Sequence, residues 1–529
     1  MGNKIAIYDT TLRDGMQGLG VNFSLADKLQ ITEKLDELQA DYIEGGFPFA
    51  SDKESAYFDY FKDHPLKFAR LAAFGSTRAP GKHVETDPHI QALIGAETPV
   101  VTIVGKAWLA HVDKVLKTTP EENLRMIAES IAYCKSLGKE VVFDLEHFFD
   151  GYLHHPDYCL QILETASKAG ADVNVLCDTN GGTLPGTVQQ IISGLPKDGA
   201  PLGVHFHDDC GTAVANSLLG IDAGAVHVQG TVNGWGERTG NANLCTILPN
   251  LCLKTSYELS MAGNLGEITS LSRFLFEKAN IIPQKRQPYV GEAAFSHKAG
   301  QHADVLLKAP ELMEHINGDL VGNSRKVLLS ELAGKSTIVR KLEKYGSFDK
   351  KNGKVAELLS TLKEKEALGY EYETAEASFD ILARKSLGLY RPILELNNYH
   401  LESYKTGGVD SKTVGRIFLT ARGKQLMGAG VGIGPVETLD AAIRDALRSF
   451  YPFLDNISLT DYKVRVLNPE KAAAAKVRVF ITSTDHRMHS WDTVGVSENI
   501  VEASWEALLD SMEYYANNFM QSWVEETSP

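Results

Sequence analysis

Cysteine is scarce. The 529 residues hold six, Cys134, Cys159, Cys177, Cys210, Cys245 and Cys252, with no C-x-x-C pair and none in the second half of the chain. That excludes a disulfide framework and a zinc ribbon, and makes a reducing cytosol the expected compartment. Long apolar runs are missing as well: no stretch approaches the roughly 18 residues of a membrane span. The start, Met1-Gly-Asn-Lys-Ile-Ala-Ile-Tyr-Asp-Thr10, enters a polar motif after a short apolar run, so no signal peptide is expected. Gly2 does not open a lipidation motif, because Ala6 stands where Ser or Thr is needed. Positive charge is in deficit. With 53 Lys+Arg against 68 Asp+Glu the net charge is −15 and no basic cluster interrupts it, so neither nucleic acid nor a membrane surface is an expected partner.

The proportions that are present, 43% hydrophobic and 23% charged, are those of an ordinary globular protein. The length predicts about two to four domains. Eight short apolar or β-branched runs recur at 5–8, 42–44, 68–73, 100–104, 140–145, 173–177, 202–206 and 226–231. Stretches of helical spacing separate them, such as 26–38 and 121–137. This alternation over 1–275 has the length and rhythm of an α/β fold of the (β/α)8, or TIM-barrel, type. A doubly wound open sheet would want a Gly-rich phosphate loop after its first strand, and that turn holds a single glycine. A helical connector is expected over 276–371. Residues 372–529 read as a C-terminal α+β domain built from a duplicated unit, with Val431-Gly432 and Val494-Gly495 as matching points 63 residues apart.

In such a barrel the reacting groups stand at the C-terminal ends of the strands. Strand one runs into Arg13 and Asp14, strand two ends in Glu44, strand five in Glu146-His147, and strand six in Asp178-Thr179-Asn180. Strand seven carries His205 and His207, and strand eight runs into Asn233, Glu237, Arg238 and Asn241. Two histidines two residues apart share one face of a strand, so both can reach one metal. A carboxylate from strand one, Asp14 or Asp9, completes a two-histidine, one-carboxylate set, and Asn241 can add an oxygen. Such ligands admit Zn²⁺, Mn²⁺, Mg²⁺ or Co²⁺.

Arg13 suits a developing oxyanion, or else pairs with Glu44 as a structural bridge, or both. Thr179 offers a hydroxyl to a small carboxylate, or closes a plain turn. Glu146, followed by His147, Phe148 and Phe149, is a general base if apolar neighbours raise its pKa, and otherwise a solvated strand end. In the connector, Ser296–Asp304 holds His297 and His302, either a lid that adds to the site or surface histidines. Gly432, Gly434 and Pro435, with Gly495 in the second copy, mark turns where a helix N-terminus could hold a small anion or simply pack.

Four motifs in order, Asp9-Thr-Thr-Leu-Arg-Asp-Gly-Met-Gln17, Glu44-Gly-Gly-Phe-Pro48, Leu202-Gly-Val-His-Phe-His-Asp-Asp209 and Asn233-Gly-Trp-Gly-Glu-Arg-Thr-Gly-Asn-Ala-Asn243, resemble those of the α-isopropylmalate, homocitrate and citramalate synthase family. The stretch Asp144-Leu-Glu-His-Phe-Phe-Asp-Gly-Tyr152 is most similar to its longer citramalate synthase branch. The resemblance implies a Claisen condensation of acetyl-CoA with a 2-oxo acid, pyruvate for that branch, and hydrolysis of the thioester. It implies a divalent metal on Asp14, His205, His207 and Asn241, and Arg13 at the 2-oxo oxygen, oriented by Glu44. It also implies substrate contacts from Gln17 and Thr179, with Glu146 and His302 at acetyl-CoA. A homodimer and an amino-acid effector, isoleucine for a citramalate synthase, are implied for the last third. One departure is Met313, which stands where many relatives carry a tyrosine and cannot donate a proton. The competing readings are a sister synthase for a larger 2-oxo acid, a metal-dependent retro-aldol lyase, and an amino-acid sensor with an inactive barrel.

Overall fold

The computed structural model describes residues 4–298, 305, 309–328, 335–349, 351–405, 407, 411–468, 475–487 and 489–520. They fall into two compact units: 1–295 with 316–325, and 296–315 with 326–529. The stretch 276–371 is thus shared between them.

In the first unit eight parallel strands close a barrel in sequence order. They are β1 (Ala6–Asp9), β2 (Tyr42–Gly46), β3 (Arg70–Ser76), β4 (Val100–Lys106), β5 (Glu140–Glu146), β6 (Val173–Asp178), β7 (Leu202–Phe206) and β8 (His227–Gly230). β8 returns to β1 with His227 opposite Ala6. Parallel strands covered on both faces favour apolar residues, and β4 (VVTIVGK) and the centre of β5 (VVF) read that way, while β8 (HVQG) carries polar groups. Inside the barrel lie Tyr8, Tyr42, Ala72, Val142, Val175 and Cys177, while alternate residues such as Ile7, Ile43, Val101 and Phe143 pack outward on the helices.

The helices start where their caps dictate. Ser24 and Asp27 form a capping box at Leu25–Glu37, and Thr119 with Pro120 opens Pro120–Ser136. Beyond the barrel, 316–325 folds back onto its own unit. Thr269 donates its hydroxyl to the carbonyl of Val321 at 2.6 Å, and Asn323 donates its amide to the carbonyls of Tyr289 and Gly291 at 2.8 and 2.9 Å.

The second unit contains a parallel pair, β9 (Ser296–Lys298) and β10 (Lys326–Leu328), and the helices Lys335–Leu342, Gly353–Ala367 and Glu376–Leu387. Two antiparallel sheets follow. β11 (Glu395–Tyr404), β12 (Lys412–Ala421) and β13 (Lys424–Gly432) carry the helix Pro435–Leu447. β14 (Ile457–Val466), β15 (Val477–Asp485) and β16 (Ser490–Ser497) carry Ile500–Phe519.

The duplication is real, but its offset is 65 residues rather than 63: β12 and β15 start at 412 and 477, and the helices at 435 and 500. Gly495 lies against the carbonyl of Ala503 and the amide of Ala507, and its counterpart Gly430 lies against the carbonyl of Thr438 and the amide of Ala442. The Val-Gly match is therefore out by two. A two-residue slip keeps every side chain on the same face of a strand, so the hydrophobic pattern does not reveal it.

Candidate active site at the mouth of the barrel

The strand ends converge as the barrel requires. Asp14, on the loop after β1, is 2% exposed, and its Oδ2 lies 3.3 Å from His205 Nε2 and 3.8 Å from His207 Nε2. The two imidazole Nε2 atoms are 3.4 Å apart. Asp9, the alternative carboxylate, is not part of this cluster: its oxygens accept from the amide and hydroxyl of Thr11 at 2.9 Å, closing the turn after β1. Burial pushes Asp9 up to about 7.

Burial alone would raise Asp14 too. The Arg13 guanidinium and the His205 hydrogen bond outweigh it and hold that carboxyl well below the usual range. Burial opposes charge on His205, yet contact with Asp14 raises its pKa. His207 is pushed down to about 4 by burial and by the neighbouring His205.

Arg13 pairs with Glu44 and also faces the site. Its Nε donates to Glu44 Oε2 at 2.7 Å, its Nη1 lies 3.3 Å from Asp14 Oδ2, and its Cζ sits 3.9 Å from the centre of the Phe74 ring. Glu44 is itself fully buried. The Tyr8 hydroxyl donates to its Oε1 at 2.7 Å, Thr10 donates to its Oε2, and Tyr8 shares a further 2.6 Å hydrogen bond with Thr102.

Behind His205, Nδ1 is 2.8 Å from Gln229 Oε1, and Gln229 Nε2 donates to Asp144 Oδ1 at 2.9 Å. That chain places the proton on Nδ1 and turns Nε2 toward Asp14. Burial and the nearby Glu44 charge push Asp144 up to about 7.

A cation fits this donor set. Asp14 Oδ1 and Asn241 Oδ1 are buried without a hydrogen-bond partner, a deficit that native interiors avoid unless a ligand meets it, and His205 and His207 turn their Nε2 atoms toward Asp14. Asn241 is brought beside His207 by a β-bridge and turns its amide to the carbonyl of Trp235 at 3.1 Å, leaving its oxygen free.

Other expected residues have different surroundings. Glu146 ends β5 but does not sit among apolar side chains: Phe148 and Phe149 turn into the core, and its partner is the Lys106 ammonium at the end of β4. The Thr179 hydroxyl accepts the amide of His147 at 2.9 Å, a contact across two strand ends rather than a turn of its own. Arg238 clamps Asp209 and donates to the carbonyl of Thr179 at 2.8 Å. Asp178 holds Thr183, and Asn233 accepts from Ser272, so both are structural. Gln17 is exposed on the turn Gly15–Gln17 beside Asp14. His302 lies outside the described residues.

Residues 4–275 match the family described as HMGL-like, 289–368 one described as homocitrate synthase post-HMGL domain-like, and 373–516 the LeuA allosteric (dimerisation) domain. An (R)-citramalate synthase of Aquifex aeolicus is 49% identical over 97% of this chain and 98% of its own. Those of Synechocystis sp. and Geobacter sulfurreducens are 44% and 46% identical over 96% of this chain, and over 95% and 97% of theirs. The chain belongs to the (R)-citramalate synthase family.

In this (R)-citramalate synthase family member the C-terminal turns differ from one another. Gly434 caps the helix that Pro435 opens, but the Ile433 amide is already taken by Glu437 Oε2 at 2.8 Å. Gly432 lies against the Glu437 side chain, and Gly495 serves strand–helix packing. Met313 follows the turn Pro310–Leu312, and its neighbour Glu314 pairs with His297 Nε2 at 3.0 Å.

Proposed function

We propose that this chain condenses acetyl-CoA with pyruvate and hydrolyses the thioester, giving (R)-citramalate and CoA, in isoleucine biosynthesis. The observation that carries the reading is the convergence of Arg13, Asp14, His205 and His207 at one barrel mouth in a chain 49% identical along almost its whole length to an (R)-citramalate synthase.

A divalent cation held by Asp14, His205, His207 and Asn241 supplies, when bound, a Lewis acid at the 2-oxo carbonyl. Arg13, pinned through Nε by Glu44, presents its remaining guanidinium edge to that oxygen and meets the negative charge that develops there. The Thr179 hydroxyl, which accepts from His147 and still has its own proton to give, donates to the pyruvate carboxylate, with Gln17 at the rim. Glu146 takes a proton from the acetyl methyl group. The resulting carbon attacks the ketone carbon, and water then releases CoA. His302 completes the acetyl-CoA side.

The match of 373–516 to a dimerisation domain supports a homodimer, and we assign isoleucine as its effector, near Gly434 and Pro435. All six cysteines are free thiols, which supports a cytoplasmic enzyme, and among the described residues no helix is long and apolar enough to cross a membrane. The test is CoA release from acetyl-CoA with pyruvate, 2-oxobutyrate, 2-oxoisovalerate or 2-oxoglutarate, each with and without chelator. Chelator-sensitive turnover that prefers pyruvate is expected. Preference for a larger acid would reassign the substrate, and no turnover with any acid by folded, metal-loaded protein would refute the synthase reading.

A further inference from the structure

A second cluster of metal-binding groups stands at the ends of β4 and β5. His111, Glu146 and His147 each bring one ligand atom within 4.8 Å of the others, and the two imidazole rings have centroids 4.4 Å apart. The surroundings are those of a ligand set. His147 Nδ1 is 2.8 Å from Asp150 Oδ2, and Asp150 is held in turn by the Asn180 amide at 2.9 and 3.0 Å. A carboxylate behind one ring nitrogen fixes the ring and leaves Nε2 as the ligand atom.

On the other side, Trp108 stacks on His111 with centroids 5.3 Å apart, and His111 Nδ1 is buried with no hydrogen-bond partner. The present partner of Glu146 is Lys106, whose side chain is 24% exposed and free to swing into water on its flexible stem.

We infer that His111, Glu146 and His147 form a second divalent-cation site, of zinc type, in which the cation replaces Lys106 as the partner of Glu146. Two imidazoles and one carboxylate, with Asp150 behind one of them, suit Zn²⁺ better than Mg²⁺, which prefers an all-oxygen shell. Because Lys106 must be displaced, this site fills after the first. Its consequence rests on the role proposed above for Glu146: an occupied second site withdraws that carboxylate from acetyl-CoA, so excess zinc inhibits.

Chelator-stripped full-length protein, titrated with ZnCl₂ against a chromophoric chelator, is expected to bind two Zn²⁺ per chain. His111→Phe, which keeps the stacked ring, and His147→Asn, which tolerates the left-handed backbone at φ 56°, each bind one. Asp150→Asn weakens the second site by about 10- to 100-fold. With saturating Mg²⁺, and each protein compared with its own zinc-free rate, the half-inhibiting zinc concentration of the two histidine variants rises about tenfold or more. One zinc per chain in the unaltered protein, or two in both histidine variants, overturns the site. The stoichiometry is read without turnover, so a protein that binds two zinc ions but releases no CoA keeps the site and loses the proposed function. Two bound zinc ions with turnover indifferent to zinc would overturn the inhibition.

Discussion

Replacing Glu44 with glutamine separates the charge of the site from its shape. Glu44 accepts three hydrogen bonds, from Arg13 Nε at 2.7 Å and the Thr10 hydroxyl at Oε2, and from the Tyr8 hydroxyl at 2.7 Å at Oε1. A glutamine can keep its oxygen toward Arg13 and Thr10. Its amide then faces Tyr8, whose hydroxyl can accept from it and turn its own proton to Thr102, 2.6 Å away. The hydrogen bonds survive and the negative charge does not.

Breaking a buried ion pair costs about 3–5 kcal/mol when the remaining charge is left alone. Arg13 still has Asp14 at 3.3 Å, so a loss of about 1–3 kcal/mol in stability is expected, the range of ordinary destabilising substitutions. Losing a preorganised oxyanion donor outright lowers kcat by about 100- to 1,000-fold. Arg13 is loosened here rather than removed, and a fall in kcat of about 10- to 100-fold is expected on that scale. Metal affinity should hold within about threefold, since Glu44 bonds to none of the four proposed ligands and so lies outside the shell whose loss costs more. The assay is steady-state CoA release at saturating acetyl-CoA and metal, with a thermal melt and a Mn²⁺ titration on the same sample. A kcat close to that of the unaltered protein, or a collapse of Mn²⁺ binding, would refute the reasoning that Glu44 acts through Arg13.

Three further outcomes are expected. Gln229→Leu cuts the chain from Asp144 to His205 and should weaken Mn²⁺ binding by about 10- to 100-fold, measured by calorimetry; unchanged binding would mean that the ring needs no support. Glu513 is fully buried in the helix Ile500–Phe519, and burial pushes its carboxyl from 4.5 up to about 7. The folded chain therefore holds a proton that the unfolded chain releases across that window, and stability falls as pH rises through it and stays lower above it. Glu513→Gln should then melt higher than the unaltered protein at pH 8, with the gap shrinking toward pH 5; an equal gap at both would refute the titration. Gly495→Ala places a methyl group against the carbonyl of Ala503 and should destabilise by about 1–3 kcal/mol in a thermal melt.

The barrel was legible because β/α alternation writes itself as alternating hydrophobic periods, and the predicted seventh strand, 202–206, coincides with β7. Arg13, Asp14, His205 and His207 were legible because two histidines two apart share one face of a strand and the Arg-Asp pair follows the strand that closes the barrel; Asp9, Asp178 and Asn233, equally polar strand-end residues, serve structural bonds instead. Lys106 was not. The sequence reading stops strand four at residue 104, whereas pairing with β5 carries it to Lys106, opposite Glu146. Polar residues of the barrel interior, Tyr8, Thr102, Asp144 and Gln229, were also passed over. They read as strand interior, and their partners lie 36 to 94 residues away for Tyr8 and 24 to 85 for Gln229.

The order of elements, the two-histidine strand and the duplicated C-terminal unit follow from local pattern, since each depends on residues a few positions apart. The choice of Asp14 over Asp9, the partner of Glu146, the support behind His205 and the true repeat offset depend on which strand lies beside which, and in what register. Closing the barrel sets Asp14 against His205, Glu146 against Lys106 and Gln229 against Asp144, and no periodicity within one strand carries that information.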